Sequence, residues 1–93
     1  MAKYTIVLRP TAEKDLLKHK KSGNAAAIKK ITALFADLEN HPYTGVGNPE
    51  PLKHELAGLW SRRINQKDRL VYEVKENIVT VFVLSAMGHY SEK

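Results

Sequence analysis

Two helical patterns separated only by Gly23 and Asn24 constrain the fold of this chain more than any other feature of its sequence. In the second pattern apolar residues recur at steps of three and four, which predicts a helix with one buried face. These residues are Ile28, Ile31, Leu34, Phe35 and Leu38. Glycine is favoured just after a helix, and asparagine just before one. A connection this short predicts an antiparallel helical hairpin.

The first helix is expected to begin with Thr11 as its N-cap, after Pro10 ends a preceding strand, and to run to about Ser22. Its apolar stripe is thin, which predicts a helix lying on the surface of another layer. The stripe consists of Ala12, Leu16 and Leu17. The strand before it, at residues 3–9, is rich in β-branched and aromatic side chains.

The second half of the chain is predicted to form a β-meander. A restricted loop at residues 43–51, rich in glycine and proline, is followed by four short runs separated by turn residues. The runs cover residues 52–56, 59–64, 69–75 and 78–85. The last run is nearly all apolar or β-branched, which is typical of a central or covered strand. Glu76 and Asn77 precede it and predict a two-residue hairpin turn.

The order of these elements predicts an α+β fold with an N-terminal strand, an antiparallel helical hairpin and a C-terminal antiparallel β-meander. With 93 residues, one domain spanning residues 1–93 is expected. The chain has no cysteine, which excludes disulfides and thiolate metal ligands. Its apolar runs are shorter than the about 20 residues of a membrane helix, and its first residues are typical of a strand rather than a secretory signal. The net charge of +5 favours an anionic partner, either nucleic acid or an acidic protein.

Charged residues crowd residues 47–72, a region otherwise typical of strands and turns. Glu50 lies between Pro49 and Pro51, whose fixed backbone angles restrict its position. A solvated loop acid is the simpler interpretation of a lone glutamate, but several cations follow on the next predicted strands. They are Lys53, Arg62, Arg63 and Arg69. Residues at these separations in a meander can converge on one face of the sheet.

Two of these arginine positions leave alternatives open. Alternation along a strand puts the adjacent Arg62 and Arg63 on opposite faces of the sheet, so only one of them can join a given site. The sequence does not decide which one. Arg69 is either a cation of the site or a structural partner of Glu73, which lies on the same face of its strand.

The histidines are scattered, and none has a partner at metal-ligand spacing, so neither a metal site nor a cofactor is expected. They are His19, His41, His54 and His89. A histidine near a chain end is usually only solvated. Cleavage of RNA through its own 2′-hydroxyl, however, needs a base, cations around the phosphorus and an acid for the departing 5′-oxygen. Carboxylate, guanidinium or ammonium, and imidazole can supply these roles, and an aromatic ring such as that of Tyr90 can stack an unpaired base.

The segment GNPEPLKHELAGLWSRRINQKDRLVYEV, followed by Gly88-His89-Tyr90, resembles the Txe/YoeB toxins, which belong to the RelE-type toxins of bacterial toxin–antitoxin pairs. The resemblance is strongest at PEPLKH, at the Gly-x-Trp-Ser-Arg-Arg-Ile run and at the Arg-Leu-Val-Tyr run. It extends more weakly over the helical hairpin. The chain departs from the family in its N-terminal strand and in the three residues that follow Tyr90.

This resemblance implies a RelE-like, microbial-RNase-like fold and a ribosome-dependent endoribonuclease. Such an enzyme cuts mRNA in the ribosomal A site, beside 16S rRNA, and stops translation in the cytoplasm. The resemblance also implies dimerisation and neutralisation by a cognate acidic antitoxin. Carried over by position, the catalytic roles fall on Glu50 as general base, Arg69 as the cation beside the transition state and His89 as general acid. The substrate-binding roles fall on Lys53, Arg63 and Tyr90.

Two other functions compete with this interpretation. One is a toxin of the same scaffold that poisons DNA gyrase, although that branch lacks the Glu, Arg and His constellation present here. The other is a non-catalytic basic module that binds RNA or an acidic protein. In a pure binder, Glu50 would repel the phosphate that its neighbours attract, so the glutamate favours catalysis.

Overall fold

A computed structural model of the chain describes residues 3–88, which form two helices packed on a mixed five-stranded sheet. In chain order the elements are β1 (Thr5–Leu8), α1 (Pro10–Ser22), α2 (Ala25–Leu38), β2 (Glu50–Pro51), β3 (Trp60–Arg63), β4 (Arg69–Lys75) and β5 (Thr80–Ser85). Short 3₁₀ turns cover His54–Leu56 and Glu76–Ile78.

The strands are ordered β1-β5-β4-β3-β2 across the sheet. β1 runs parallel to β5, and the other neighbouring strands are antiparallel. Parallel strands cannot be joined by a tight turn, so the chain between β1 and β5 crosses over and carries both helices. β5 lies inside the sheet, between β1 and β4, as its apolar sequence predicts. The α+β class, the helical hairpin and the meander are confirmed.

Both helices contribute to a core on one face of the sheet, where they pack against alternate residues of β4 and β5. The helix residues of this core include Ala12, Ala27, Ile31, Leu34 and Leu38. The strand residues include Leu70, Tyr72, Val81 and Val83. The side chains between these strand residues point to the opposite face of the sheet. The position of a charged residue along its strand therefore decides whether it faces the helices.

The residues between the two helices behave as their types predict. Gly23 adopts a left-handed conformation with φ of 73°, and the Asn24 side chain accepts a hydrogen bond from the Ala27 amide at 3.1 Å. The predicted N-cap of α1 is wrong. The helix begins at Pro10, which places Thr11 inside its first turn, and the capping position is Arg9. Proline suits the first helical position because its φ is already helical and its missing N–H is not needed there.

The predicted inward face of α1 is also partly wrong. Leu17 is 55% exposed, whereas Asp15 and His19 are buried beside Ala12. These three residues are spaced by three and four, so they share one helical face. Polar residues occupy this face because they bond to the end of β5, as described below.

Two strand predictions need correction. Residues 52–56 do not form a strand, because the chain turns at His54–Leu56 and His54 adopts a positive φ of 58°. The pairing strand lies earlier, at Glu50–Pro51. The turn before β5 is longer than two residues, with Val79 in the left-handed region after a 3₁₀ turn, so β5 begins at Thr80. A two-residue hairpin favours an Asn-Gly type pair, and glutamate at its first position does not suit the positive φ required there.

A buried arginine ties the sheet to α2 and to the loop that leads into β2. The Arg62 side chain is fully buried, and its Nη1 atom donates to the Asp37 carboxylate at 2.6 Å. Its Nε atom donates to the Tyr72 hydroxyl at 3.1 Å, and that hydroxyl donates to the Pro42 carbonyl at 2.7 Å. The remaining guanidinium donors bond to the carbonyls of His41, Thr44 and Val46. Arg62 therefore faces the helices, and its neighbour Arg63 faces the other way, as the strand alternation predicts.

We expect Arg62→Ala to destabilise the fold by about 3–5 kcal/mol, because it leaves a partly buried Asp37 carboxylate and several inward carbonyls without their donor. Urea unfolding monitored by circular dichroism measures this loss. Arg63→Ala is the matched control, since the neighbouring side chain is exposed, and should stay within about 0.5 kcal/mol of the wild type. Equal unfolding midpoints for the two variants would contradict a structural role for Arg62.

A second polar cluster joins the beginning of the chain to the turn between β4 and β5. The Glu76 carboxylate accepts hydrogen bonds from the Tyr4 hydroxyl at 2.9 Å and from the Tyr43 hydroxyl. The bonds from Tyr43 and Tyr4 lower the pKa of Glu76 below its ordinary value. Desolvation, followed by the bond to Glu76, raises the pKa of Tyr43 to about 12. Both shifts favour the ionised carboxylate and the neutral phenol, which is the state that makes the hydrogen bonds.

This cluster predicts a pH dependence of stability. Because the folded-state pKa of Glu76 lies below its ordinary value of 4.5, its stabilising contribution is present above that pH and is lost as the pH falls through the folded-state pKa. Urea midpoints measured from pH 3 to pH 7 should therefore differ between wild type and Glu76→Gln at neutral pH and converge in acid. Glu55→Gln, which changes an exposed carboxylate, should follow the wild type throughout. A constant difference between wild type and Glu76→Gln would contradict the linkage.

Candidate active site

The register of three neighbouring strands brings the candidate residues to the sheet face opposite the helices. Glu50 of β2 lies opposite Ser61 of β3. Arg63 of β3 lies opposite Arg69 of β4. Residues paired across neighbouring strands point to the same face, so a carboxylate and two guanidinium groups belong to one surface. We name this surface the Glu50–Arg69 face.

Glu50 and Arg69 form an ion pair in which Arg69 Nη1 lies 3.5 Å from Glu50 Oε1. The Glu50 side chain is 51% exposed, and that of Arg69 is 17% exposed. The alternative partner of Arg69 was Glu73, but the carboxylate of Glu73 lies 3.3 Å from Lys75 Nζ. The structure therefore favours Glu50, and not Glu73, as the partner of the Arg69 side chain among the described carboxylates.

The structure places the other candidate cations differently. Arg63 is exposed and lies opposite Arg69 on the neighbouring strand. Of the two adjacent arginines, Arg63 is therefore the one on the Glu50–Arg69 face. Lys53 is exposed in the extended segment that follows β2, just before the turn at His54–Leu56. Arg62 is excluded from this face because its guanidinium bonds to Asp37 and Tyr72 on the helical side.

The loop before Glu50 is fixed at several of its residues. The Arg62 guanidinium bonds to the carbonyls of His41, Thr44 and Val46. The Arg63 amide donates to the next carbonyl, that of Gly47, at 2.7 Å. Gly47 has a φ of 85°, and a Cβ atom built there would lie 2.9 Å from a methyl group of Leu34. The positive φ favours glycine at this position, and the bond to the Arg63 amide holds the loop beside β3.

His89 and Tyr90 lie outside the described residues, but the chain immediately before them is tethered. The Arg69 amide donates to the Gly88 carbonyl at 3.1 Å, and the Gly88 amide donates to the Asp68 carboxylate at 2.9 Å. Two residues earlier, the Ala86 amide donates to the Asp15 carboxylate at 2.9 Å. The Ala86 carbonyl lies 2.7 Å from His19 Nε2. Since a carbonyl only accepts, His19 is the donor in this bond.

These tethers identify residues that the sequence interpretation missed. Asp15, His19 and Asp68 are buried, and each bonds to the backbone of residues 86–88. The available signal was the spacing of Asp15 and His19, four residues apart and in line with Ala12 on a buried face. Polar residues on such a face need hydrogen-bond partners, so they indicate a polar contact with another part of the chain.

The described residues contain no group of three or more histidine, aspartate or glutamate side chains placed to bind a metal ion. The structure does have a groove of about 340 Å³ between the helices, lined mainly by Leu16, Ile28 and Ile31. This groove is on the helical side and does not include the candidate residues. On the Glu50–Arg69 face, the Glu50 side chain is half exposed and the Arg69 side chain is mostly covered.

Comparison with known proteins identifies the family of this chain. Residues 9–90 match the model of the YoeB-like toxins of bacterial type II toxin–antitoxin systems. The chain belongs to this family. It is 44% identical over 63 residues to the toxin YoeB of Escherichia coli K12, an alignment that covers 68% of this chain and 73% of that protein.

Solved structures of YoeB proteins share the fold. A YoeB dimer from Staphylococcus aureus superposes with a TM-score of 0.79 at 36% identity, and the match covers 96% of this chain and all of that one. A YoeB–YefM complex from the same organism gives a TM-score of 0.76 at 37% identity, covering 96% of this chain and 100% of the matched chain. These matches confirm the RelE-like α+β fold implied by the sequence. Within residues 3–88 of this YoeB-like toxin, no helix is long and apolar enough to cross a membrane.

The ion pair on this face is expected to contribute little to stability. Exposed pairs are worth about 0–1 kcal/mol, and the Glu50 carboxylate is about half exposed. Glu50→Ala should therefore lower the free energy of unfolding by less than about 1 kcal/mol in a urea titration. Asp37→Ala, which removes the partner of the buried Arg62, is the contrasting variant and should cost several times more. A large loss in Glu50→Ala would mean that the ion pair is structural.

Proposed function

We propose that this YoeB-like toxin is a ribosome-dependent mRNA endoribonuclease that inhibits translation. The observation that carries the proposal is the half-exposed Glu50 carboxylate held 3.5 Å from the Arg69 guanidinium, on the sheet face that also carries Arg63. A base next to a phosphate-binding cation is the arrangement that RNA cleavage through a 2′-hydroxyl requires.

In the proposed reaction the Glu50 carboxylate removes the proton of a ribose 2′-hydroxyl. The 2′-oxygen forms a bond to the adjacent phosphorus, and the bond from phosphorus to the 5′-oxygen breaks. The imidazolium of His89 gives its proton to that departing oxygen, which leaves a cyclic phosphate and a 5′-hydroxyl. Atoms and charges balance without a metal ion, a cofactor or a redox partner.

Arg69 has two tasks in this scheme. It neutralises the phosphate as negative charge develops on its oxygens, a role for which a planar, permanently charged guanidinium is well suited. Before substrate binds, it holds the Glu50 carboxylate on the Glu50–Arg69 face. Lys53 and Arg63 contribute phosphate binding, and Tyr90 orients the substrate beside the acid.

The position of the general acid is supported by the tether of residue 88. Gly88 immediately precedes His89, and its carbonyl accepts a hydrogen bond from the Arg69 amide. An extended chain spans about 3.3–3.6 Å per residue, so a residue that directly follows Gly88 is close to Arg69 in the chain path. The proposed base contacts the side chain of the same arginine, so we expect the acid to reach the phosphate site beside it.

The partners follow from charge and from the relatives. A net charge of +5 suits mRNA, the ribosomal A site with its 16S rRNA, and a cognate acidic antitoxin. The S. aureus relative occurs in a complex with YefM, which supports an antitoxin of the same type here. The S. aureus dimer supports a homodimer. Ribosomes place the proposed activity in the cytoplasm.

Single substitutions test the catalytic roles. We expect Glu50→Ala and His89→Ala each to lower the rate of mRNA cleavage on programmed ribosomes by about 10²–10⁴, the usual contribution of a general base or acid. Arg69→Ala should lower it by about 10²–10³, as for the loss of another transition-state donor. Glu73→Ala is the matched control because it removes a carboxylate from β4, the strand of Arg69, where Glu73 pairs with Lys75. It should cleave at the wild-type rate.

The same experiment separates the competing functions. Wild-type rates in both Glu50→Ala and His89→Ala would remove the proposed roles. Salt-sensitive RNA binding without any cleavage product from the wild type would indicate a non-catalytic binder. Inhibition of DNA supercoiling without mRNA cleavage would indicate a gyrase poison.

A further inference from the structure

The side chain of Ser61 is fully buried on the Glu50–Arg69 face and has no role in the scheme above. Among the buried side-chain polar atoms that the structure describes, its hydroxyl is the one without a hydrogen-bond partner. Leaving a buried hydroxyl unsatisfied is unfavourable, and such groups in native proteins call for an explanation. Alanine would fill nearly the same space without this cost.

Strand register places this hydroxyl directly beside the proposed base. Ser61 is the cross-strand partner of Glu50 on one side and of Val71 on the other. Its side chain points away from the helices, because the flanking Trp60 and Arg62 point towards them. Cross-strand neighbours have Cβ atoms about 4.5–5.5 Å apart, which the longer glutamate side chain can span to reach a serine hydroxyl. Val71 is apolar, so it offers the hydroxyl no acceptor.

In this structure the Glu50 carboxylate is engaged by Arg69 instead. A bound phosphate would compete for the same guanidinium, because arginine binds phosphate oxygens in a bidentate manner. When Arg69 turns to the phosphate, the carboxylate needs another donor to keep its orientation towards the 2′-hydroxyl. Ser61 can provide one, since its hydroxyl is a donor and an ionised carboxylate is purely an acceptor.

We propose that Ser61 is a positioning residue that donates a hydrogen bond to the Glu50 carboxylate once substrate has drawn Arg69 away. The inference rests on the proposed function, and it deepens the account of the same site. It explains why a hydroxyl is kept in a place where the resting protein gives it no partner. The carboxylate thus has two positions, one held by Arg69 before binding and one held by Ser61 during the reaction.

Ser61→Ala tests the proposal in three measurements. The single-turnover rate of mRNA cleavage on ribosomes should fall about 10- to 100-fold, the usual effect of losing a hydrogen bond to a charged group. Affinity for the programmed ribosome should stay at the wild-type value, because Ser61 acts on the base and not on binding. The melting temperature should be unchanged or higher, because an unsatisfied buried hydroxyl has been removed. Ser85→Ala, the same substitution two strands away in the same cross-strand row, should leave all three values unchanged.

A double-mutant cycle shows whether Ser61 acts through Glu50. In the Glu50→Gln background, Ser61→Ala should cause no further loss of rate, whereas independent roles would give multiplied losses. A wild-type rate in Ser61→Ala, or a loss of rate that follows a lower melting temperature or weaker ribosome binding, would overturn the inference. Neither result would affect the proposed function, as long as Glu50→Ala cleaves mRNA about 10²–10⁴ times more slowly than the wild type. A wild-type protein that does not cleave mRNA would overturn the proposed function itself.

Discussion

The geometry of this toxin depends on the burial of one guanidinium group. Arg62 is fully buried, and burying a charge is costly unless it is paired and its donors are satisfied. Here the Asp37 carboxylate, the Tyr72 hydroxyl and the carbonyls of an irregular loop meet both requirements. The loop could not point these carbonyls inward without a donor, and the arginine could not be buried without the loop. The arginine and the loop therefore hold each other in place, and the loop leads into Glu50 at the edge of the sheet.

The adjacent arginines show how strand alternation separates structure from function. Arg62 connects β3 to α2, while Arg63, one residue later, is exposed on the Glu50–Arg69 face. The position of β2 at the edge of the sheet leaves Glu50 exposed without providing a surface on which another chain can pair. This strand has two residues, and Pro51 has no amide to offer a further strand. An exposed carboxylate can thus sit on a sheet edge that discourages pairing with another chain.

Much of the fold could be predicted from the sequence because its signals are local. Gly23 and Asn24 define the helical hairpin, and the apolar run before Ser85 gives the interior strand. Prediction failed where two local preferences competed. Proline can end a strand or begin a helix, and Pro10 is the first residue of α1. Leu52 and its neighbours have strand-like composition, but the turn at His54–Leu56 takes the chain out of the sheet.

The candidate site was also predictable only in part. The sequence identified Glu50, Arg63 and Arg69 as candidates, and strand alternation correctly separated Arg63 from Arg62. It could not choose between the two arginines, because that choice depends on which face the helices cover. It also could not reveal the contacts of Asp15 and His19, since their partner is the backbone of residue 86, about 70 residues away. The spacing of these two residues indicates a buried polar face, but no sequence pattern identifies residue 86 as its partner.

Two separate anchors meet at Arg69. The Arg62 network fixes the loop that ends at Glu50, whose carboxylate reaches the Arg69 side chain. The buried polar groups of Asp15 and Asp68 fix the segment that ends at Gly88, whose carbonyl reaches the Arg69 amide. One arginine is thus bound through its side chain to the proposed base and through its backbone to the segment preceding the proposed acid. Because opposed proton transfers need both groups at a set distance from one phosphate, a shared attachment to β4 is the simplest way for this chain to preserve that distance.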